Sequence, residues 1–208
     1  METVLDIYKR PYDARFPVVC MDELNKQLVS ETRQPLPVKP GHPARYDYEY
    51  QREGVANAFI FFEPLGNWRS ISIHAQRTHR EWALVVKTLV DVHFPAAERI
   101  TLVLDQLNTH VGASLYKVFA ASEARRLLDK LDLQHTPKHG SWLNMAEIEL
   151  SAFSRQCLQR RIATSTAFQQ SASLWSNQRN SSDATVDWQF TTADARIKLK
   201  HLYPVIQP

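Results

Sequence analysis

The sequence predicts an α/β fold in which a mixed β-sheet carries helices packed against it, and three observations predict it. Two short, continuous apolar runs, FPVVCM and RITLVL, each lead straight into an aspartate, as strands buried on both faces do. Two further apolar segments flank Glu63-Pro64-Leu65-Gly66-Asn67, a turn signal that reads as a β-hairpin. Beyond the hairpin, segments with helical spacing alternate with short apolar runs, the order expected when helices are laid on a sheet.

In chain order, residues 1–15 form a lead-in segment, and 16–21 form the first strand, which ends at the acidic pair Asp22-Glu23. Residues 30–54 hold Pro35, Pro37, Pro40 and Pro43 among many charges and read as a loop, since proline removes backbone donors and forbids ladder pairing. The hairpin follows. Thr78 can cap a helix over 79–92, in which Trp82, Val85, Val86, Leu89 and Val90 recur at helical spacing. Residues 99–104 form the second buried strand, which runs into Asp105. SLYKVFAASEARRLLDKL reads as one helix, DLQHTP as a short strand stopped by Pro137, and Ser141 opens a helix with Glu147 in its second turn. A final helix spans 163–179. The domain therefore runs over 16–180, with a polar tail over 181–208 and no internal repeat.

Composition narrows the class. A chain of 208 residues that is 44% hydrophobic can bury a core, and 23% charged residues is ordinary for a globular domain. The net charge of +3 permits a nucleic-acid partner without demanding one, because clustering decides. Cys20 and Cys157 are the only cysteines and lie far apart, which fits free thiols in a reducing compartment. No apolar run reaches the ~18 residues a bilayer span needs, and the start lacks a signal-peptide layout. A cytoplasmic protein with no membrane association is expected.

The chemistry concentrates on the acidic residues at the strand ends. A buried, unpartnered polar group costs on the order of 2–7 kcal/mol, so an aspartate belongs where a strand opens onto a crevice. Asp22 and Asp105 both qualify. Neighbouring strands are ~4.8 Å apart, close enough for the two to share a cation. A carboxylate from the helix after 141 can complete the group. Three such charges repel unless a divalent ion neutralises them, and oxygen-only ligands suit Mg²⁺ or Mn²⁺ rather than zinc. Aspartates also end strands simply because they favour turns, so these residues alone leave both readings open.

The runs VVCMDE, LVLDQLNTH and HTPKHGSWLNMAEIELS resemble the three signature blocks of the DDE superfamily of insertion-sequence transposases, in the bacterial branch related to the Tc/mariner elements. The similarity extends over nearly the whole chain, to the closing WQFTTADARIKLKHLYP. Ser-Trp-Leu-Asn followed three residues on by a glutamate is the most specific part. The resemblance implies a ribonuclease-H-like fold with two Mg²⁺ (or Mn²⁺) ions held by Asp22, Asp105 and Glu147, DNA as the partner, and a homodimer or higher assembly when active. It also implies a reaction: hydrolysis of a phosphodiester at the transposon end, then attack of the freed 3′-hydroxyl on target DNA. Members often carry asparagine directly after the second aspartate, where this chain has Gln106, whose amide sits one methylene further out. They usually also carry an N-terminal helix-turn-helix. The first signature strand here begins by residue 16, so the sequence is read as the catalytic half, expected to bind DNA weakly and with little sequence preference. A nuclease of the same fold without strand transfer, and an inactive remnant that binds an intact transposase, are the competing readings.

Neighbouring residues need sorting. Glu23 alternates with Asp22 along the strand and points to the other face. Glu149 lies about 200° around the helix from Glu147 at 3.6 residues per turn. His110, His135 and His139 invite a zinc reading, but Pro137 breaks the helical spacing of the latter two and no cysteine pair joins them. Gln106, Asn108, His110, Lys138, Trp142 and Asn144 are candidates for holding the ligands or touching DNA. Arg125-Arg126, Lys138 and Arg160-Arg161 are candidate phosphate contacts.

Overall fold

Five strands in the order β3-β2-β1-β4-β5 make the sheet of the computed structural model, which describes residues 1–138 and 140–203. The long strands β1 (Val18–Glu31) and β2 (Tyr50–Glu63) pair antiparallel, and β3 (Trp68–His74) returns antiparallel to β2. On the other side of β1, β4 (Ile100–Leu104) runs parallel to it, and β5 (Leu131–His135) parallel to β4. The expected mixed sheet is present. The hairpin forms as read, and its turn closes on Asn67 with φ of 52°, a left-handed conformation that asparagine tolerates better than most residues.

The first strand differs from its reading. It continues through Asp22 to Glu31, and β2 begins at Tyr50, so the loop is 32–49 rather than 30–54. An apolar run marks only the part of a strand buried on both faces. Beyond it β1 and β2 form a two-stranded arm whose polar residues carry no burial signal, while pairing continues from Cys20 opposite Phe62 to Glu31 opposite Tyr50 with a one-residue bulge between Leu28 and Val29.

Helices cover both faces. On one lie α1 (Glu2–Tyr8), α5 (Ala146–Cys157) and α6 (Ser165–Asn180), packed on Cys20, Ala58, Ile60, Phe62 and Val103. On the other lie α2 (His79–Thr88), α3 (Gly112–Tyr116) and α4 (Ala121–Asp129), packed on Val19, Met21, Phe59, Phe61, Leu102 and Leu104. Thr78 caps α2 as expected, and Glu81 completes a capping box by accepting from the Thr78 backbone N–H. The helix then widens into a π-turn over Leu89–His93. The single helix expected over 114–131 is instead α3 and α4, although neither Gly nor Pro marks the break. The bend lets Leu115 and Leu127 both reach the same core, where each is fully buried.

The two ends of the chain also build structure. The lead-in segment carries α1, whose Val4, Leu5, Ile7 and Tyr8 are buried, and the tail carries α7 (Thr192–Lys198), capped by Thr191 and Asp194. Residues 204–208 of the tail, and His139 of the zinc reading, lie outside the described residues. Cys20 is buried and Cys157 half-buried; both are free thiols.

Candidate active site

Asp22 does not end a strand; it sits inside β1 at the point where the neighbouring ladder stops. Parallel pairing runs from Val18 opposite Thr101 to Cys20 opposite Val103, and β4 ends at Leu104. Two residues on, the same register sets Asp22 beside Asp105. Asp22 is still paired to Ile60 on its other flank. The crevice therefore opens on one side of β1 only, which supplies the open position that the strand-end reading required.

Alternation assigns the faces. Asp22 has the parity of Cys20, and Asp105 that of Val103, so both belong to the face covered by α5. Glu147 comes from the first turn of α5, not the second, because residues 141–143 form a separate 3₁₀ turn and the α-helix starts at Ala146. Asn144 makes the join. Its amide donates to the Met21 carbonyl at 2.7 Å, and its side-chain oxygen accepts from the Ala146 N–H at 3.2 Å. One buried side chain thus ties the strand residue before Asp22 to the start of the helix that bears Glu147. Tyr8 adds a second tie, its hydroxyl donating to the Leu143 carbonyl at 2.6 Å.

Electrostatics report the convergence. The Asp22 carboxyl is pushed up to about 7: burial contributes most, repulsion from Asp105, Glu147 and Glu23 adds, and a hydrogen bond from the Glu23 N–H opposes. The three acids share one locus without closing on a common point. Among the described residues no three His, Cys, Asp or Glu side chains form a ready ligand set.

Asp105 turns toward His110. The His110 Nδ1 lies 2.5 Å from Asp105 Oδ1, a close but poorly aligned contact, and its Nε2 donates to Glu23 Oε1 at 2.9 Å. The ring is fully buried and stacks on Trp82, with centroids 5.9 Å apart. Burial disfavours the imidazolium, but the Asp105 and Glu23 carboxylates beside its two nitrogens prevail and lift the group to about 9. Glu23 and Trp82, which the sequence reading set aside or took as core, are thus part of the site's surroundings. The signal for Glu23 was its parity: an acid on a buried face needs a partner.

The other candidates separate. Gln106 and Asn108 are exposed beside Asp105, and Lys138 is exposed. Trp142 is 42% exposed and meets Phe190 edge-on. His135 donates from Nε2 to the His110 carbonyl at 2.7 Å, which gives it a structural task. The basic pairs are largely engaged: Arg126 with Asp91 and Glu123, Arg125 with Asp129, and Arg161 with Glu31 and the loop carbonyls of Asp47 and Glu49. Glu149 is fully buried against Arg69 and Arg179, away from the acidic locus.

The sequence profile described as DDE superfamily endonuclease matches residues 17–169, well over half of the chain and all three acidic positions. The chain belongs to the DDE superfamily endonucleases. Its fold is ribonuclease-H-like and is shared with solved transposase structures. The Mos1 mariner paired-end complex with Mn superposes with a TM-score of 0.55 at 16% identity, covering 85% of this chain and 52% of that one. The Mos1 transposase paired-end complex with the left transposon end gives 0.58 at 15% identity, covering 89% and 53%. The Mos1 strand transfer complex gives 0.54 at 16%, covering 85% and 51%. This endonuclease-family chain therefore spans about half the length of the Mos1 chains it matches. No curated protein is matched by its sequence.

Proposed function

We propose that the chain is the catalytic domain of a DNA transposase that uses Asp22, Asp105 and Glu147 to hold two divalent ions, Mg²⁺ or Mn²⁺. What supports the reading is that β1, the segment after β4 and the first turn of α5 carry Asp22, Asp105 and Glu147 into one neighbourhood, near enough for Asp105 and Glu147 to raise Asp22 by repulsion though not arranged as a closed ligand set. The donor set fits the ions: it is all oxygen, negatively charged and partly buried, which suits hard cations. When bound, such ions supply activation of a water or 3′-hydroxyl and stabilisation of the leaving oxygen in an in-line displacement at phosphorus.

The chain's own residues then have separate tasks. Asp22 is fixed in a strand that pairs on its other flank, so its position is set by the sheet. Glu147 is carried by a helix start that Asn144 ties to that strand. Asp105 lies in the irregular segment after β4. Gln106, Asn108, Lys138 and Trp142 are each exposed and so open to DNA. The Mos1 paired-end and strand-transfer complexes, and the Mos1 complexes with Mn and with Mg, support DNA and divalent metal as partners.

Replacing Asp105 with Asn is expected to abolish Mg²⁺-dependent nicking of DNA while the circular dichroism spectrum stays unchanged. Undiminished cleavage would sink the assignment. A strand-transfer assay with a pre-cleaved end separates a transposase from a nuclease that only cuts.

A further inference from the structure

His110 is held at more points than a core histidine needs. Both ring nitrogens face carboxylates, one ring face lies on Trp82, and its backbone N–H donates to the Leu107 carbonyl at 2.9 Å while its carbonyl accepts from His135. Asp105, by contrast, follows the last residue of β4 and lies in a segment without regular structure, where Gln106, Leu107 and Asn108 are exposed. Among the described residues His110 is the one side chain in close polar contact with the Asp105 carboxylate. The two carboxylates it touches start from opposite faces of the sheet. Glu23 shares the parity of Met21 and the face of α2, whereas Asp105 continues the parity of Val103. The His110 ring stacks on Trp82 on the α2 face, where it meets Glu23, and Asp105 Oδ1 reaches it from the segment after β4, while Arg77 approaches Glu23 at 3.9 Å.

We propose that His110 is a positioning residue that, gripped by Glu23, commits one oxygen of Asp105 and so fixes the other for metal, with Glu23 as the anchor of the histidine and not a ligand. This rests on the reading of Asp105 as a ligand. The reasoning is geometric. A carboxylate on an irregular segment is free to rotate, and a ligand that must be oriented at the moment of binding loses affinity. Partners of this kind change metal affinity 10–100-fold in other sites.

The test is Mn²⁺ titration of the DNA-free protein, followed by the paramagnetic resonance of free Mn²⁺, alongside thermal unfolding without metal. His110→Phe keeps a ring on Trp82 but removes both nitrogens, and is expected to weaken Mn²⁺ binding roughly 10–100-fold. His110→Asn, whose amide can still donate toward Asp105, is expected to recover most of that loss even where its metal-free melting point is no higher. Glu23→Gln, which keeps the size and one acceptor, is expected to weaken binding several-fold and serves should the phenylalanine variant fail to fold. In nicking assays these variants should lower kcat with little change in the KM for DNA. Wild-type Mn²⁺ affinity in His110→Phe or in Glu23→Gln would overturn the proposal, as would equal losses in His110→Phe and His110→Asn that track melting point. Asp105→Asn run beside them separates the premises: if it binds Mn²⁺ like the wild type, the ligand assignment itself falls.

Discussion

Glu149 sits two residues from Glu147, and its removal should damage the fold far more than its distance from the acidic locus suggests. Its side chain is fully buried between Arg69 of β3, at 3.2 Å, and Arg179 of α6, at 2.7 Å. Arg69 is fully buried too, and further bonded through its guanidinium to Asn67, Asn180 and the Ala184 carbonyl. In Glu149→Ala both partners survive and Arg69 keeps its charge in the interior without a counter-ion. Breaking a buried pair from one side costs about 3–5 kcal/mol. For a domain of this size each kcal/mol moves the melting point by about 2–4 °C, so the variant should melt roughly 6–20 °C lower. Thermal unfolding by circular dichroism measures this. Replacing Arg69 and Glu149 together by Met and Leu should lose less than Glu149→Ala alone, since no fully buried charge is left stranded and only the part-exposed Arg179 loses its partner. A single variant that melts within a degree of the wild type, or a double variant that is the worse of the two, would refute the reasoning.

Two other predictions follow from buried polar groups. Glu63, 5% exposed and with Oε1 lacking a hydrogen-bond partner, is pushed by burial up to about 7 from an ordinary 4.5. Its folded value is raised, so its contribution to stability is fully present below pH 4.5 and is lost as pH rises through about 7. The melting point of the wild type relative to Glu63→Gln should therefore fall across that window, and a difference that stays flat with pH would contradict it. Asn144→Ala should cost about 1–3 kcal/mol by leaving the buried Met21 carbonyl unpaired. It should also speed hydrogen exchange at residues 146–148, and protection there equal to the wild type would show that α5 is seated without the asparagine.

The fold was legible where burial writes a pattern and illegible where it does not. The runs before Asp22 and Asp105 announced β1 and β4, and Thr78 with the apolar spacing from Trp82 to Val90 announced α2. The outer half of β1 was hidden because it is one rail of a solvated arm, where alternate polar residues look like loop. The break between α3 and α4 was hidden because a bend driven by Leu115 and Leu127 seeking one core leaves no Gly or Pro. At the candidate site, strand placement pointed to the two aspartates, although Asp22 proves to lie inside β1, and only the motif pointed to Glu147, since nothing in the spacing says that α5 begins at Ala146. Glu23 was seen correctly to face away from Asp22. That it nevertheless reaches Asp105 through His110 depends on a third residue far along the chain, which pattern reading along one strand cannot supply.

The unequal lengths of β1 and β4 link these points. Had β4 continued beside β1, Asp22 and Asp105 would be flanked by ladder on both sides, and the carboxylates would be buried at a cost of several kcal/mol each without partners. Because β4 stops at Leu104 while β1 runs on to Glu31, Asp22 keeps the rigidity of a paired strand and still has one open flank. The same early stop frees Asp105 from the sheet, which gives it reach but removes its support. His110 sits against that loose end, bonded to Glu23 on the α2 face. A strand end that opens a site thus also creates the need for a side chain to hold what it has released, and the sequence order Asp105 then His110 is short enough for one irregular segment to supply both.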